Sequence, residues 1–271
     1  MKIIRYADAD AAIHWAISHP DGSHERLLGH LFTNLEPSGE PARIARLLAP
    51  LEPRAIFCIG LNYRRHAAET GAAIPKQPVL FMKAPSALQH PHEPIELPTA
   101  LASSAVDYEG ELAVVIGHRC KNVRREEALA HVLGYTCAND VSARDWQKQQ
   151  ELGGGQWCRG KTFDTFAPLG PCLVTTAAIP DPNSLRLRTL LNGSCVQDAR
   201  TDDMIFDVPG LIAFLSGSTT LLPGTVILTG TPEGVGMAAN PPRWLKPGDR
   251  VSIEIEAIGE LTNPVIAEPS R

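Results

Sequence analysis

The sequence predicts an α+β fold in which β-strands predominate. Its 271 residues include 22 Gly and 23 Pro, which are spread along the whole chain. Short apolar runs bounded by Gly, Pro or Asn recur between these residues, a pattern typical of strands that are joined by turns. The dipeptide Asn192–Gly193 lies between two such runs and indicates a type I′ β-hairpin. We therefore expect many short strands, in antiparallel and mixed sheets, with few long helices.

Residues 1–52 are predicted to form a small N-terminal α/β unit. Two strand-like runs flank a turn near Asp8, and the apolar spacing in residues 40–48 predicts a helix. Pro50 and Pro53 then interrupt the chain, which places a domain boundary near residue 52. Residues 53–271 are expected to form the larger domain.

The larger domain is predicted to contain a series of strands and three helices. Strands are expected at residues 55–59, 79–83, 111–116, 172–175, 185–191, 226–229 and 250–257, and a further buried strand is expected to end near residue 138. Helices are expected at residues 63–70, 124–133 and 208–216. The first helix has Asn62 as its expected N-cap and Gly71 just after its end.

The composition argues against nucleic acid or a membrane as a partner. The chain carries 25 Lys and Arg against 30 Asp and Glu, a net charge of −5, whereas phosphate backbones and anionic lipids demand basic patches. No run of 18 apolar residues occurs, and acidic residues interrupt the N-terminal segment where a signal peptide would be apolar. The six Cys residues are widely spaced without a C-x-x-C pair, which indicates reduced thiols in a cytoplasmic protein.

Acidic residues alternate along the segment VDYEGELAVVIG at 106–117. On a strand, Asp107, Glu109 and Glu111 would share the face that continues as Ala113 and Val115. Neighbouring carboxylates that enter an apolar sheet repel each other and lose their hydration. A divalent cation that prefers oxygen ligands, such as Mg²⁺, Mn²⁺ or Ca²⁺, would resolve this conflict. The alternative interpretation is a solvated strand end.

Other candidate residues lie at separate points of the chain. Asp140 follows an apolar run, so it is expected at the end of a buried strand and is a further metal-ligand candidate. Glu69 follows His66 by three residues on a helix and can polarise it as a general base, although surface pairs of this kind are common. Lys161 lies near aromatic residues, where a partly desolvated lysine can stabilise an oxyanion; a surface lysine is the alternative.

The segment GQWCRGKT at 155–162 matches the phosphate-binding pattern G-x-x-x-x-G-K-[ST]. That pattern binds nucleotides when it lies between a buried strand and a helix. Here a polar run precedes it, and two prolines soon after it exclude a long helix. We therefore do not expect nucleotide binding.

Taken in order, these segments resemble the fumarylacetoacetate hydrolase family, in particular its bacterial fumarylpyruvate hydrolase and acylpyruvase-like members. The matching segments are IGLNYRRHAAE (59–69), PVLFMKAPSAL (78–88), VDYEGELAVVIG (106–117), GYTCANDVSARDWQ (134–147), RGKTFDTFAPLGP (159–171) and VILTGTPEGVG (226–236). The resemblance covers the chain from about residue 54 to its end. It implies the family's mixed β-sandwich roll, assembled as a homodimer.

The resemblance also implies a set of site residues. A Mg²⁺ or Mn²⁺ ion would be held by Glu109, Glu111 and Asp140. His66 and Glu69 would form the dyad that activates water, on a helix that orders over bound substrate. The implied groups around the substrate are Lys161, Gln147, Thr231 at the substrate carboxylate, and Lys83 at the pocket wall. Some relatives carry Arg where this sequence has Leu61, so the recognition of the distal end of the substrate is left open.

The implied reaction is metal-dependent hydrolysis of a C–C bond in an acylpyruvate-type or other 2,4-diketo acid, giving pyruvate or an analogue plus a carboxylic acid. The same scaffold also supports oxaloacetate decarboxylation and isomerisation of 2-hydroxyhepta-2,4-diene-1,7-dioate, which need the metal but less of the His66–Glu69 dyad. A non-enzymatic binding protein is a third possibility, which the intact set of ligands and dyad disfavours. Membership of the family does not choose among these reactions.

Overall fold

The computed structural model describes residues 1–269. The strands in this range are β1 (Lys2–Ala7), β2 (Ile13–Ser18), β3 (His24–His30), β4 (Asn34–Pro41), β5 (Arg46–Leu48), β6 (Ala55–Gly60), β7 (Val79–Lys83), β8 (Leu88–Gln89), β9 (Ile95–Leu97), β10 (Val106–Asp107), β11 (Gly110–Ile116), β12 (Val132–Asn139), β13 (Ser142–Ala143), β14 (Ala167–Thr175), β15 (Arg186–Leu191), β16 (Ser194–Arg200), β17 (Thr225–Leu228), β18 (Arg250–Ile255) and β19 (Gly259–Ala267). The α-helices are α1 (Arg64–Glu69), α2 (Arg144–Lys148), α3 (Trp157–Lys161) and α4 (Val208–Ser216). Short 3₁₀ helices lie at Pro85–Ala87, Arg125–His131, Gln150–Leu152, Thr201–Asp203 and Gly236–Ala238.

Two large sheets make up most of the molecule. The first has the order β4-β3-β2-β1-β14-β12-β11-β17-β6-β7, with β5 added to β1 and β8 added to β14. The second has the order β16-β15-β18-β19-β9, while β10 and β13 form a separate pair. Apolar side chains of β11 and β18, such as Leu112, Val114 and Ile253, belong to one buried core. The structure thus confirms the predicted mostly-β fold with a mixed sheet arrangement.

The N-terminal residues differ in part from the prediction. The helix predicted at residues 40–48 is wrong, because this segment contains the end of β4 and all of β5. Strand β5 pairs with β1, so these backbone groups are satisfied by a neighbouring strand rather than within a helix. Strand β1 also pairs with β14, which joins the N-terminal strands to the main sheet. The division at residue 52 and the homodimer stay predictions.

Most of the other predicted elements are close to those observed. The hairpin at Asn192–Gly193 is confirmed: Leu191 pairs with Ser194, and both turn residues have positive φ, as a type I′ turn requires. Helix α4 has the predicted bounds, and the helix expected at residues 124–133 is a shorter 3₁₀ helix. No helix among residues 1–269 is both long and apolar enough to cross a bilayer.

Candidate metal centre and active site

Three carboxylates meet where β11 begins and β12 ends. The amide of Glu109 donates to Asn139 Oδ1 at 3.0 Å, and the amide of Asp140 donates to the carbonyl of Glu109 at 2.8 Å. These two bonds hold Glu109 and Asp140 side by side, and Glu111 follows on β11. One oxygen from each of Glu109, Glu111 and Asp140 lies within 4.8 Å of the others, and all three residues are buried. The predicted ligand set is therefore brought together.

Asp107 does not join this cluster, although the alternation along the sequence placed it there. It lies on β10, a separate short strand, because the chain leaves the extended pairing between Asp107 and Gly110. Its carboxylate accepts from the Nε of Arg144 at 2.9 Å and from the backbone amides of Gly236 and Met237 at 2.8 and 3.0 Å. Asp107 therefore anchors Arg144 and a loop.

Buried cations neutralise part of the cluster. Lys161 Nζ lies 2.5 Å from Glu109 Oε2 and 2.8 Å from Asp140 Oδ2. Lys83 Nζ lies 2.5 Å from Asp140 Oδ1 and also donates to the carbonyl of Val141 at 2.9 Å. Glu109 and Asp140 are thus both paired with cations. The predicted surface alternative for Lys161 is excluded, since this residue is 2% exposed.

The pKa shifts follow from this unequal pairing. Burial raises the pKa of Glu109, but Arg144 and Lys161 outweigh burial and hold it at about 2. Burial, together with the charges of Asp140 and Glu109, raises the pKa of Glu111 well above its usual range. Burial lowers the pKa of Lys161, yet the same two carboxylates outweigh it and raise that pKa above the ordinary value.

The environment of Glu111 shows whether a divalent cation would fit among the three carboxylates. Its Oε2 accepts from the amide of Gly230 at 2.7 Å, and no ion pair to Glu111 occurs within the described residues 1–269. A fully buried carboxylate that faces two others without a cationic partner is costly when ionised. A divalent ion with oxygen ligands removes that cost, so the residues fit Mg²⁺ or Mn²⁺.

The His66–Glu69 pair forms as predicted on α1. His66 Nδ1 lies 3.2 Å from Glu69 Oε2, and the other carboxylate oxygen of Glu69 accepts from the amide of Gly234 at 2.9 Å. His66 is 8% exposed, so a solvated surface pair does not describe it. The N-cap is Tyr63, and the expected cap, Asn62, instead donates from its side-chain amide to the carbonyls of Phe206 and of Thr229, the residue after β17.

A cavity of about 230 Å³ connects the dyad with the carboxylate cluster. The predicted site residues that line it are His66, Glu109, Glu111, Gln147, Lys161 and Thr231. Glu69, which is exposed, and Asp140, which is buried, do not line the cavity but contact lining residues, His66 and Lys161 respectively. Lys83 lies behind the wall, in contact with Asp140, rather than at the pocket wall where it was predicted.

The hydroxyl of Thr231 is engaged by the protein itself. It donates to the carbonyl of Gly110 at 3.0 Å and accepts from Gln197 Nε2 at 2.9 Å. The carbonyl oxygen of the Gln197 side chain in turn accepts from the amide of Gly110 at 3.0 Å. Gln197 therefore ties β16 of the second sheet to the start of β11 and to Thr231.

Sequence reasoning missed three residues of this site. Arg144 lies 2.6 Å from Glu109 Oε1 and donates to Gln147 Oε1 at 3.0 Å, and its place in the N-D-x-[ST]-x-R-D motif was the available signal. Gln197 and Lys148 lie in segments without any such signal. The phosphate-binding pattern at residues 155–162 does not form a phosphate loop, because its Lys161 ends the short helix α3 and binds carboxylates.

With this geometry established, comparison with known proteins defines the class. Residues 55–266 match the family described as fumarylacetoacetate (FAA) hydrolase C-terminal. The chain belongs to the fumarylacetoacetate hydrolase family. Members of this family bind divalent metals, which agrees with the acidic cluster.

Similar proteins include enzymes with several activities. The chain is 50% identical to a mitochondrial oxaloacetate tautomerase of Xenopus laevis over 221 residues, covering 81% of this chain and 68% of that protein. It is 46% identical to the human mitochondrial oxaloacetate tautomerase FAHD2A over 227 residues, covering 83% and 71% of the two chains. The structure of this chain also matches a crystal structure of 2-hydroxyhepta-2,4-diene-1,7-dioate isomerase from Mycobacterium marinum with a TM-score of 0.84. The two sequences are 42% identical, and the match covers 100% of both chains.

Proposed function

We propose that this protein is a divalent-metal-dependent tautomerase that interconverts the keto and enol forms of oxaloacetate. The observation that carries the proposal is the buried cluster of Glu109, Glu111 and Asp140 beside a cavity that His66 lines. A 2-oxo acid offers carboxylate and carbonyl oxygens to a hard cation in such a cluster. The activity named for the relatives from Xenopus laevis and human supports oxaloacetate as the substrate.

The residues of the chain would divide the work between binding and proton transfer. Glu109, Glu111 and Asp140 would hold a Mg²⁺ or Mn²⁺ ion, which would supply Lewis-acid stabilisation of negative charge on a bound 2-oxo acid. Glu69 engages His66 Nδ1, so Nε2 is the ring nitrogen left to take a proton from C3 and return it to the oxygen. The ammonium of Lys161 adds positive charge beside the carboxylates, where it favours the charge that develops during the transfer.

A second candidate is isomerisation of 2-hydroxyhepta-2,4-diene-1,7-dioate. The whole-length match to the isomerase of Mycobacterium marinum favours it. This reaction also moves a proton along a conjugated 2-oxo diacid, so it would need the same cation site. The sequence led us to expect less dependence on the His66–Glu69 dyad, and here we assign its proton transfer to His66 as well. The two candidates share a substrate class, a 2-oxo or 2-hydroxy-ene acid with a second carboxylate.

Hydrolysis of a C–C bond in a 2,4-diketo acid, the first expectation from the sequence, is a third candidate. Its support is the His66–Glu69 pair, which can activate water. The named activities of the relatives above favour tautomerisation or isomerisation, so hydrolysis ranks below them. A cytoplasmic location stays our prediction; the two relatives named above are mitochondrial.

A substrate panel tests the proposal. The enol form of oxaloacetate absorbs in the ultraviolet, so its decay is followed with protein plus Mg²⁺, with protein plus Mn²⁺, and with each metal alone. We expect decay well above the metal-only rate, and its loss on chelation. The heptadienedioate and acetylpyruvate are assayed under identical conditions. If only acetylpyruvate is consumed, the protein is a hydrolase and the tautomerase proposal is wrong.

A variant pair separates the roles within the site. Asp140→Asn keeps the side-chain shape but removes one ligand charge, so metal-dependent activity should fall by about 100-fold or more. Glu126→Gln, the same kind of change at an exposed position on the 3₁₀ helix Arg125–His131, should leave activity unchanged.

A further inference from the structure

Three of the cationic side chains around the cavity are already paired with carboxylates of the protein. Arg144 and Lys161 line the cavity, and Lys83 lies behind its wall. Arg144 is paired with Asp107 and Glu109, while the two lysines are paired with the carboxylate cluster. None of these three cations is therefore free to bind a second anionic group of a ligand.

Lys148 differs from these cations. It also lines the cavity, and it is the last residue of α2, one residue after Gln147 and four after Arg144. Lys148 is an exposed residue that lines the cavity, and burial still lowers the pKa of its ammonium, as expected for a group at the boundary between the cavity and solvent. Within residues 1–269, its ammonium makes no hydrogen bond and no ion pair. Lys148 is thus a cation beside the cavity that forms no ion pair with any of the residues 1–269.

Part of the remaining wall has no charged or polar side chain. Five of the lining residues have no charged or polar side chain: Ile59, Gly60, Leu61, Ala72 and Met237. Leu61 has an apolar side chain, so this part of the wall offers no cation. A second carboxylate on a ligand that is anchored at the cluster would therefore find its positive charge at Lys148.

We propose that Lys148 binds the distal carboxylate of the substrate and makes the site selective for 2-oxo diacids over 2-oxo monoacids. This inference rests on the proposed function, since it assumes that the 2-oxo end of the ligand is held at the carboxylate cluster. The two ends of the substrate would then bind at different places: the 2-oxo end at the divalent-cation site and the distal carboxylate at the ammonium of Lys148. Lys148 acts in binding and takes no part in the proton transfer.

Two ligands that differ by one carboxylate test the inference. Oxaloacetate and pyruvate share the 2-oxo acid end, and their binding to Mn²⁺-loaded protein is measured by titration calorimetry. Lys148→Met should weaken oxaloacetate binding by about tenfold, the scale of one exposed charge-assisted hydrogen bond, and leave pyruvate binding unchanged. Lys148→Arg should restore most of the loss. Lys121→Met, which removes an exposed lysine on another segment, is the matched control for the change in net charge.

Kinetics give an independent readout. Lys148→Met should raise KM for oxaloacetate by a similar factor and leave kcat nearly unchanged, because the distal contact is the same in the ground and transition states. Equal weakening of oxaloacetate and pyruvate, or no change in either, would overturn the inference. If the wild-type protein does not accelerate tautomerisation, the proposed function fails, and the calorimetric comparison still decides the role of Lys148.

Discussion

Replacing Glu111 with Gln should abolish stabilisation by metal without destabilising the metal-free protein. Gln keeps the shape of the side chain and an oxygen that can accept from the amide of Gly230. It removes the one charge of the cluster that has no cationic partner in the part of the chain that the structure describes. The same substitution therefore acts in opposite directions on the metal-free and the metal-bound protein.

The effect of Glu111→Gln on the free energy of unfolding of the metal-free protein follows from the spacing of the carboxylates. Oxygens of Glu109, Glu111 and Asp140 lie within 4.8 Å of one another. At that separation two unit charges repel by about 3.5 kcal/mol with an effective dielectric constant of about 20. Lys161 offsets roughly one of the two repulsions that Glu111 experiences. Glu111→Gln should thus be neutral or stabilising, by up to about 3 kcal/mol, at a pH where Glu111 would otherwise ionise.

The effect on the metal-bound protein follows from the coupling between metal binding and the stability of the native state. A ligand at 100 times its dissociation constant stabilises the native state by about 2.7 kcal/mol. For a protein of this size, that corresponds to a rise in Tm of about 5 to 10 °C. The variant, which lacks one of three ligand charges, should show little or none of this rise.

Thermal unfolding in chelator, in Mg²⁺ and in Mn²⁺ measures both effects in one experiment. Glu126→Gln, at an exposed position, should keep the full metal-dependent rise in Tm. A rise in Tm of Glu111→Gln as large as that of the wild type would refute the assignment of Glu111 as a ligand. A loss of more than about 2 kcal/mol in chelator would refute the electrostatic reasoning.

Three further predictions concern catalysis, packing and pH. His66→Ala should lower kcat for tautomerisation by about 100-fold or more while the metal-dependent rise in Tm persists; full activity would exclude His66 as the proton carrier. Asn62→Ala should cost about 3 to 5 kcal/mol in urea unfolding, because its buried side chain makes three hydrogen bonds with backbone groups; a loss below about 1 kcal/mol would contradict this. Burial and the charges of Arg46 and Arg5 lower the pKa of His90, so the unfolded chain takes up a proton before the native state does. The free energy of unfolding should therefore fall as the pH drops from the ordinary histidine pKa towards the lowered one, and His90→Asn, which does not titrate, should flatten this part of the curve.

Local sequence rules were sufficient for several parts of the site. The period of two along β11 placed Glu111 with Ala113 and Val115, and these two residues do share one buried cluster. The spacing of three residues on α1 placed Glu69 beside His66. The apolar run before Asp140 placed this residue at the end of a buried strand. Each of these inferences depends on neighbours within one element, where backbone geometry fixes the relation.

The same rules failed where a distant partner decides the conformation. Residues 40–48 have the apolar spacing of a helix, yet β1 offers β5 an open strand edge, and pairing across the sheet prevailed. Asp107 continues the alternation of Glu109 and Glu111 in the sequence. Its carboxylate nevertheless pairs with Arg144, 37 residues away, and not with the cluster. Strand pairing and buried ion pairs outweigh local propensity, which is worth a fraction of a kcal/mol per residue.

The sequence by itself determined the class of fold, the family and the identity of the residues that form the cluster and the dyad. These properties depend on residue type and on spacing along one element, both of which can be read directly. Only the tertiary structure decided that Lys161 and Lys83 neutralise two of the three carboxylates. It also decided that, within residues 1–269, neither Glu111 nor Lys148 forms an ion pair, although both line the cavity. The energies of buried charges depend on distances between groups far apart in sequence, and those distances exist only once the sheets have packed.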